Sequence, residues 1–306
     1  MSMPSNAQHF IPVLRSGSWA DIGSKQRMED EHICIDDIAR NHLGDPDFES
    51  RTPMAFYGVF DGHGGRDAAT YIKENLLNFI TEYGDFPNGG LRNAVKNAFL
   101  KADDALAEPK SCVDMSSGTT ALVAMVSGKS LLVANAGDCR AVLGKRWGRT
   151  LQLSSDHKLT SSAERKRIES LGGFVEDVYL NGELGVSRAL GDWHLKGRGA
   201  VYLSPLSAEP EVQELELSEE DEFLIIASDG LWDVVSNESA VGIARRELMS
   251  NNDPDSCCRA LVTEALRKHS VDNLTVVLVC FSTGPPPKKR FRNSRLRRST
   301  NAASDL

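Results

Sequence analysis

Three short acidic motifs, far apart in the chain, contain the residues best suited to chemistry. They are DGHGG at 61–65, SDGLWD at 228–233 and DN at 272–273. Each motif borders a run of strand-forming residues, so a carboxylate recurs at the end of a strand. Carboxylates that strand ends bring together repel each other, and a buried one is costly unless its charge is compensated. Mg²⁺ and Mn²⁺ prefer oxygen ligands, so the motifs predict a hydrolytic metal centre.

Asp61 ends an apolar run and enters a turn in which glycines relax the backbone. It could bridge two cations while Gly62 offers its carbonyl oxygen. His63 would then lie beside the cations and could protonate a leaving oxygen as a general acid. Taken alone, the motif is explained about as well by an ordinary Asp-Gly turn. His63 would then be a loop histidine without a role.

Asp229 repeats this arrangement at the end of a second apolar run, and Asp233 follows four residues later. If a helix begins here, Asp229 is its N-cap and Asp233 lies one turn along the same side. Asp272 begins the last apolar run. An N-cap, a solvated helix residue and a turn are the ordinary interpretations of these three residues.

Further carboxylates adjoin other strands. Glu29 and Asp30 precede a run that contains Ile33 and Ile35, and they could hold metal-bound waters. Their ordinary interpretation is a polar strand end. Asp138 lies in a turn between two apolar runs, where it is a further candidate ligand, although a plain hairpin aspartate is the better interpretation of that motif in isolation.

The elements that must position these residues follow from the hydrophobic pattern. Strand-forming runs occur at 31–38, 54–60, 119–126, 130–135, 139–143, 223–227 and 274–281. Helical periodicity predicts helices over 67–80, 91–106, 162–171, 232–248 and 255–268. Ser161 or Ser162 with Glu164 predicts a capping box for the third helix. Paired helices between groups of strands favour an α+β fold with mostly antiparallel sheets and helices packed outside them.

Composition is that of an ordinary globular protein, with 306 residues, 41% of them hydrophobic and 25% charged. No apolar run approaches the ~20 residues that span a bilayer. The first residues do not resemble a signal peptide, which predicts an intracellular protein. The six cysteines show no paired spacing, and the sequence has no zinc-binding pattern.

Charge is unevenly distributed along the chain. From Thr283 onward, seven basic residues face Asp305 alone, which gives +6; because the whole chain carries −8, residues 1–282 carry −14. An acidic body disfavours nucleic acid and anionic membranes as partners. The basic residues at 288–298 resemble a nuclear import signal, and a solvated basic tail explains them nearly as well.

Nine segments, taken in order, resemble the type 2C metal-dependent protein serine/threonine phosphatases, most closely the plant members. They are MED at 28–30, DGHGG at 61–65, SGTT at 117–120, NAGDCR at 135–140, DHK at 156–158, ERKRI at 164–168, GVSRALGD at 185–192, SDGLWD at 228–233 and DNLTVV at 272–277. A match of nine segments in the family's order is very improbable by chance.

The resemblance implies a four-layer α-β-β-α sandwich, in which two mostly antiparallel sheets are flanked by helix pairs and the metals lie in a cleft at one edge. It covers residues 18–282, the predicted phosphatase domain, while composition predicts a flexible segment at 1–17 and a Pro-rich, then basic, disordered tail at 283–306. It implies hydrolysis of phosphoserine and phosphothreonine in proteins by a metal-activated water, without a phosphoenzyme intermediate.

The resemblance also assigns roles to the acidic residues. Two Mg²⁺ or Mn²⁺ ions are implied, together with a weaker third site. Asp61 would bridge the first two, Gly62 would give its carbonyl to one, and Asp229 and Asp272 would hold the other. The remaining roles are a third site at Asp138, Asp229 and Asp233, orientation of metal-bound water by Glu29 and Asp30, and general acid catalysis by His63.

One position departs from the family pattern, and a second segment bears on regulation. Members usually carry a phosphate-binding arginine where this chain has Lys25, and lysine lacks the two-pronged fork of arginine. Strand alternation would put Lys25 and Arg27 on one face, so either could bind phosphate, and we favour Lys25. Members inhibited by hormone-bound receptors carry a tryptophan within 175–185, where this chain has Tyr179 and Leu180. We therefore expect no such inhibition.

Two other functions remain open at this level. The first is a pseudophosphatase that uses the same fold for binding, which Lys25 alone supports. The second is another two-metal phosphoesterase, such as a nuclease or a small-molecule phosphatase, which the acidic body disfavours. We expect phosphoprotein substrates and a monomer.

Overall fold

The structure is a computed structural model that describes residues 10–38, 54–82, 90–196 and 204–288. The predicted polar loop at 39–53, residues 1–9 of the N-terminal segment and residues 289–306 of the tail lie outside the described residues.

Fifteen strands and seven α-helices form the described part of the chain. The strands are β1 Arg15–Asp21, β2 Glu31–Ile35, β3 Met54–Phe60, β4 Gly62–His63, β5 Gly118–Thr119, β6 Ala121–Ser127, β7 Ser130–Ala136, β8 Arg140–Lys145, β9 Arg149–Gln152, β10 Val175–Glu176, β11 Tyr179–Leu180, β12 Leu190–Gly191, β13 Glu211–Glu216, β14 Asp221–Ala227 and β15 Leu274–Cys280. The helices are α1 Asp67–Glu82, α2 Leu91–Leu106, α3 Ser162–Ser170, α4 Trp193–Lys196, α5 Asp229–Trp232, α6 Asn237–Asn251 and α7 Pro254–Arg267.

Two five-stranded sheets form the centre of the molecule. The first has the order β1-β15-β14-β8-β9 and the second has the order β13-β7-β6-β3-β2. Neighbouring strands in both sheets are antiparallel. Helices α6 and α7 cover the outer face of the first sheet, and α1 and α2 cover that of the second. The predicted α+β sandwich is confirmed.

The central strands are apolar on both faces because each face meets a different layer. Phe56 and Phe60 of β3 pack against the helices of the second sheet. Tyr57 and Val59 point the other way, into a core shared with Ile226 and other residues of the first sheet. A strand that is buried on both sides therefore appears in the sequence as a continuous apolar run.

Three strands of the two sheets were not predicted from the sequence. Strand β1 reads RSGSWAD, and strands β9 and β13 are edge strands whose polar and charged residues give no apolar run. Strand β1 pairs with β15 from Arg15 to Asp21, so the domain boundary predicted at residue 18 falls inside it.

The helix predicted over 232–248 is instead two helices. The short helix α5 ends at Trp232, and α6 begins at Asn237 behind Ser236, whose hydroxyl accepts a hydrogen bond from the Ser239 amide. The predicted capping box of α3 is also wrong. Ser161 is the N-cap but its side chain makes no capping hydrogen bond. The Glu164 carboxylate accepts from Arg188 and Ser187.

A buried ion pair fixes the segment around α4 onto helix α2. The Lys196 Nζ atom lies 2.7 Å from Asp103 Oδ1, and both side chains are 1% exposed. Lys196 also donates to the Ala189 carbonyl, and the Trp193 indole donates to the Asp103 carbonyl. None of the helices in the described ranges is long and apolar enough to cross a membrane.

Replacing Lys196 should destabilise the protein strongly. The Lys196→Met substitution leaves the Asp103 carboxylate buried without its cation, so we expect the free energy of unfolding to fall by about 3–5 kcal/mol in urea denaturation. Lys96→Met is the matched control, because Lys96 pairs with Glu209 at the surface. It should cost no more than about 1 kcal/mol. Equal losses in the two variants would contradict this account.

Candidate metal centre

A cavity of about 580 Å³ opens where several strands of the two sheets end. It is lined by nine of the eleven predicted site residues, namely Lys25, Glu29, Asp61, Gly62, His63, Asp138, Asp229, Asp233 and Asp272. Asp30 and Arg27 do not line it. Acids that are up to 243 positions apart in the sequence, from Glu29 to Asp272, therefore converge on one cavity.

Asp61 directly follows the last residue of β3, and hydrogen bonds with Thr120 hold its backbone. Its backbone N–H donates to the Thr120 hydroxyl at 3.1 Å, and its carbonyl accepts from the Thr120 amide at 2.9 Å. The next residue, Gly62, packs directly on the backbone of Glu29, so that a Cβ there would overlap the Glu29 carbonyl oxygen. Glycine at 62 is thus required by the close approach of two backbones.

Three carboxylates form the centre of the cavity. Asp61, Asp138 and Asp229 each have an oxygen that lies within 4.8 Å of the corresponding oxygens of the other two. They come from the end of β3, the turn between β7 and β8, and the start of α5. An oxygen-only ligand set of this kind is what Mg²⁺ and Mn²⁺ prefer, so these residues fit a divalent metal site.

Burial and mutual repulsion make these carboxylates hold protons more tightly. Burial, with the added charges of Asp30 and Asp229, raises the pKa of Asp61 well above its ordinary value. Burial and Asp229 raise the pKa of Asp138 to about 7. Burial and Asp272 raise the pKa of Asp229 to about 6. A cation bound between these carboxylates would offset their repulsion and favour their ionised forms.

Asp30 lies just behind the cavity. Its Oδ2 accepts a hydrogen bond from the Ser228 hydroxyl at 2.8 Å, and Ser228 in turn accepts from the Thr275 amide. Its Oδ1 is buried without a hydrogen-bond partner. Burial raises the pKa of Asp30 to about 6. Orientation of a water by Asp30 stays a prediction, because Oδ1 is buried and Asp30 does not line the cavity.

Two lysines pair with the outer acids of the cavity. Lys25 Nζ lies 2.9 Å from Asp272 Oδ1, and Lys158 Nζ lies 2.5 Å from Asp233 Oδ1. The hydrogen bond to Asp272 raises the pKa of Lys25. Sequence analysis did not single out Lys158, although it belongs to the DHK segment at 156–158, which was the available signal.

Lys25 and Arg27 do not lie on one face of a strand, so this prediction is wrong. Residues 22–30 form a turn and an irregular segment rather than a strand, and the Lys25 N–H donates to the Ile22 carbonyl. Lys25 lines the cavity, whereas Arg27 is exposed and does not. The Asn273 amide group holds this turn by donating to the carbonyls of Ile22 and Arg27.

Glu29 is held on the opposite side of the same turn. Its backbone N–H donates to Asn273 Oδ1 at 2.8 Å, and its carboxylate accepts from the Gly65 amide at 3.0 Å. Asn273 thus ties the segment before β2 to the start of β15. This gives the DN motif a structural role at Asn273 in addition to the carboxylate of Asp272.

The N-cap of α5 is Ser228 and not Asp229, which is the first helical residue. Asp233 is the C-cap of this single turn. Both carboxylates still line the cavity, because one helical turn returns the chain to the same side.

His63 lies on β4, which pairs with β5. Its Nε2 lies 2.7 Å from Asp192 Oδ2, and Asp192 is 1% exposed. Sequence analysis did not single out Asp192. The available signal was its place at the end of the matching segment 185–192.

Comparison with known proteins agrees with this fold. Residues 17–274 match the family described as Protein phosphatase 2C, so the chain belongs to the protein phosphatase 2C family. It is an enzyme of that family, a metal-dependent protein serine/threonine phosphatase with plant relatives.

Two of those relatives are named as probable members. The chain is 56% identical to "Probable protein phosphatase 2C 27" of Arabidopsis thaliana over 99% of its own length and 78% of that protein. It is 51% identical to "Probable protein phosphatase 2C 27" of Oryza sativa subsp. japonica over 97% of its length and 84% of that protein. The fold is similar to the crystal structure of serine-threonine phosphatase 2C from Toxoplasma gondii, with a TM-score of 0.71, 24% identity, and coverage of 89% of this chain and 96% of that one.

The stability of the metal-free protein should depend on pH through this cluster. An aspartate whose pKa is raised by folding stabilises the fold below its unfolded pKa, and that contribution is lost as pH rises through the folded pKa. With EDTA present, we expect the melting temperature to fall between about pH 5 and pH 8, because the pKa of Asp138 is about 7 and that of Asp229 about 6.

Asp138→Asn should remove part of this repulsion. We expect it to raise the free energy of unfolding at about pH 8 in EDTA by on the order of 1–3 kcal/mol. Asp114→Asn is the control, because Asp114 is exposed and its hydrogen bonds from Ser116 lower its pKa. It should give no gain. A less stable Asp138→Asn protein at this pH would contradict the prediction.

Proposed function

We propose that this chain hydrolyses phosphoserine and phosphothreonine residues of proteins directly, with water activated by two divalent cations and without a phosphoenzyme intermediate. The observation that carries the proposal is the convergence of Asp61, Asp138 and Asp229 within 4.8 Å at one cavity. Their raised pKa values and oxygen-only chemistry support Mg²⁺ or Mn²⁺ as the cations.

The cavity residues divide into two overlapping groups of ligands. We assign the two principal ions to Asp61, the Gly62 carbonyl, Asp229 and Asp272. A weaker third ion would share Asp229 with Asp138 and Asp233. When bound, paired cations lower the pKa of a water towards ~7 and neutralise charge that develops on phosphate oxygens.

The chain's own residues support attack by water. Glu29 and Asp30 have carboxylates fixed by the Gly65 amide and the Ser228 hydroxyl, respectively. Asp30 keeps one acceptor oxygen without a partner. We propose that these two carboxylates orient metal-bound water, Glu29 from the cavity wall and Asp30 from just behind it.

Lys25 is the residue we assign to the substrate phosphate. Its ammonium group lines the cavity, and its side chain is 50% exposed, so incoming phosphate oxygens can reach it. A lysine supplies charge but no two-pronged contact. Arg27 was the alternative, and its position outside the cavity disfavours it.

His63 is the residue we assign to the leaving group. Departure of a seryl or threonyl oxygen requires a proton, because the alkoxide is a poor leaving group. A histidine in the cavity wall can supply that proton, which is worth ~10²–10⁴-fold in rate.

We also propose the partners, the oligomeric state and the location of the protein. Phosphoproteins are the substrates, and nucleic acids and membranes are not partners of the acidic body. We further propose a monomer, located in the cytoplasm, the nucleus or both, and not inhibited by hormone-bound receptors. The basic tail on which nuclear import rests lies almost wholly outside the described residues, which end at Lys288.

Activity should require the cations and the central acids. We expect EDTA to abolish turnover of a phosphoseryl peptide, and Mg²⁺ or Mn²⁺ to restore it. Asp61→Ala and Asp229→Ala should abolish turnover even with excess Mn²⁺, whereas His63→Gln should only slow it, by ~10²–10⁴-fold. Full activity in EDTA, or near-normal activity of Asp61→Ala, would contradict the proposal.

The same assay separates the competing functions. A protein that binds Mn²⁺ but turns over no phosphopeptide would be a pseudophosphatase. Faster turnover of a nucleotide monophosphate than of the phosphopeptide would indicate a different phosphoesterase.

Lys25 should affect substrate use more than Arg27 does. Lys25→Ala removes a charged hydrogen bond to phosphate, which is worth about 1.5–3 kcal/mol, so kcat/KM should fall by roughly 10–100-fold. Lys25→Arg should retain most of the activity or improve it, because arginine binds phosphate with two parallel hydrogen bonds. Arg27→Ala is the control. A larger loss for Arg27→Ala than for Lys25→Ala would reverse the assignment.

A further inference from the structure

We infer that Asp192 is the positioning residue of His63: its carboxylate fixes the orientation and the tautomer of the ring that protonates the leaving oxygen. The inference rests on the proposed function, because it concerns how His63 performs the general-acid step. It adds a residue that lies outside the cavity wall and outside the ligand set.

The contact is short and shielded from water. His63 Nε2 lies 2.7 Å from Asp192 Oδ2, and the Asp192 side chain is 2% exposed while that of His63 is 28% exposed. A carboxylate only accepts hydrogen bonds when ionised, so the proton of this pair belongs on Nε2. The remaining ring nitrogen, Nδ1, is left for the substrate.

The small sheet β12-β5-β4 is built around this contact. His63 of β4 and Gly191 of β12 both pair with Gly118 of β5, which lies between them. A Cβ at residue 118 would overlap both Asp192 Oδ2 and His63 Nε2. Gly118 therefore leaves the space that the imidazole and the carboxylate share.

The backbone at Asp192 is in an uncommon conformation. Asp192 has a φ of +52° and follows Gly191, whose φ is +85°. A residue other than glycine rarely adopts positive φ, and aspartate and asparagine tolerate it best. The Asp192 amide donates to the Ser117 carbonyl at 3.0 Å, which helps to hold this turn.

The buried Asp103 carboxylate also holds this turn, through hydrogen bonds. Asp103 Oδ1 accepts from the Gly191 amide at 2.7 Å and from Lys196 Nζ at 2.7 Å. Lys196 also donates to the Ala189 carbonyl at 2.8 Å. Gly191 and Lys196, on either side of Asp192, are thus bound to helix α2. These contacts restrict where the Asp192 carboxylate can lie.

The alternative is that Asp192 is an ordinary helix cap. It does precede α4, and its carbonyl accepts from the Leu195 amide at 2.9 Å. A capping aspartate, however, uses its side chain to accept from helix amides. Here the side-chain oxygen Oδ2 contacts the histidine, so the cap does not explain where the carboxylate lies.

The proton transfer balances with this arrangement. As the bond between phosphorus and the seryl oxygen breaks, the oxygen takes the bonding pair and the proton on Nδ1 of the doubly protonated ring. The ring that remains is neutral and keeps its other proton on Nε2, still hydrogen-bonded to Asp192. Water then supplies the next proton to Nδ1.

The test compares two leaving groups with Mn²⁺-loaded enzyme. A phosphoseryl peptide needs the acid, whereas p-nitrophenyl phosphate releases a stable anion and needs it far less. We expect Asp192→Asn to lower kcat on the peptide by about 10–100-fold, which is no more than the ~10²–10⁴-fold that a general acid contributes. The loss on p-nitrophenyl phosphate should be much smaller. Asparagine keeps the shape of the side chain and tolerates the positive φ.

The double variant His63→Gln/Asp192→Asn gives a second criterion. If Asp192 acts only through His63, the double variant should be no slower on the peptide than His63→Gln alone. Asp104→Asn removes an exposed carboxylate from the same helix as Asp103 and should leave kcat unchanged on both substrates. Mn²⁺ affinity, measured by calorimetry, should be the same for wild type and Asp192→Asn.

An NMR measurement does not depend on turnover. In ¹⁵N-labelled protein, the neutral His63 ring should carry its proton on Nε2, and Asp192→Asn should shift this tautomer ratio, because an amide can donate as well as accept.

Equal losses on the two substrates, additive losses in the double variant or an unchanged tautomer ratio would each overturn the role of Asp192. If His63→Gln is selective for the peptide and Asp192→Asn is not, the inference fails while the proposed function stands. If His63→Gln shows no selectivity, the general-acid step fails and the inference fails with it.

Discussion

The repulsion among carboxylates gathered at one edge of the sandwich is the constraint on which the rest of the site depends. Asp61, Asp138 and Asp229 lie close together, Asp138 is buried and the other two are half-buried, and the pKa values of all three are raised. Without a cation, ionising all of them opposes folding. The surroundings offset part of this cost: Lys25 and Lys158 pair with the outer acids Asp272 and Asp233, and the Ser228 hydroxyl donates to the nearby Asp30 carboxylate.

The two sheets supply the stiffness that such a cluster needs. Apolar residues on both faces of β3, β14 and β15 hold these strands from three layers, so their ends cannot move apart to relieve the repulsion. The pairing of β1 with β15 has a further effect, because the chain leaves β1 directly into the turn of Lys25. The first and last strands of the domain thus bring Lys25 and Asp272 to the same cavity.

His63 is positioned by a different part of the structure. The acids are held by the ends of the large sheets, whereas His63 belongs to the small sheet β12-β5-β4. Its partner Asp192 is fixed through Gly191 to the buried Asp103–Lys196 pair on α2. Two separately supported groups of residues therefore face one cavity, one suited to cations and one suited to a proton.

The sequence by itself determined which residues are acidic at strand ends, most of the apolar strands and helices, and the family, because buried strands are continuously apolar and short motifs carry the chemistry. It could not reveal β1, β9 and β13, whose residues lack an apolar run and are strands only because a neighbouring strand pairs with them. It also misplaced Lys25 and Arg27, since a strand was assumed where Asn273 holds a turn. The tertiary structure alone decided that Asp192 meets His63, because the two residues are 129 positions apart and meet only when β4 and β12 pair with Gly118.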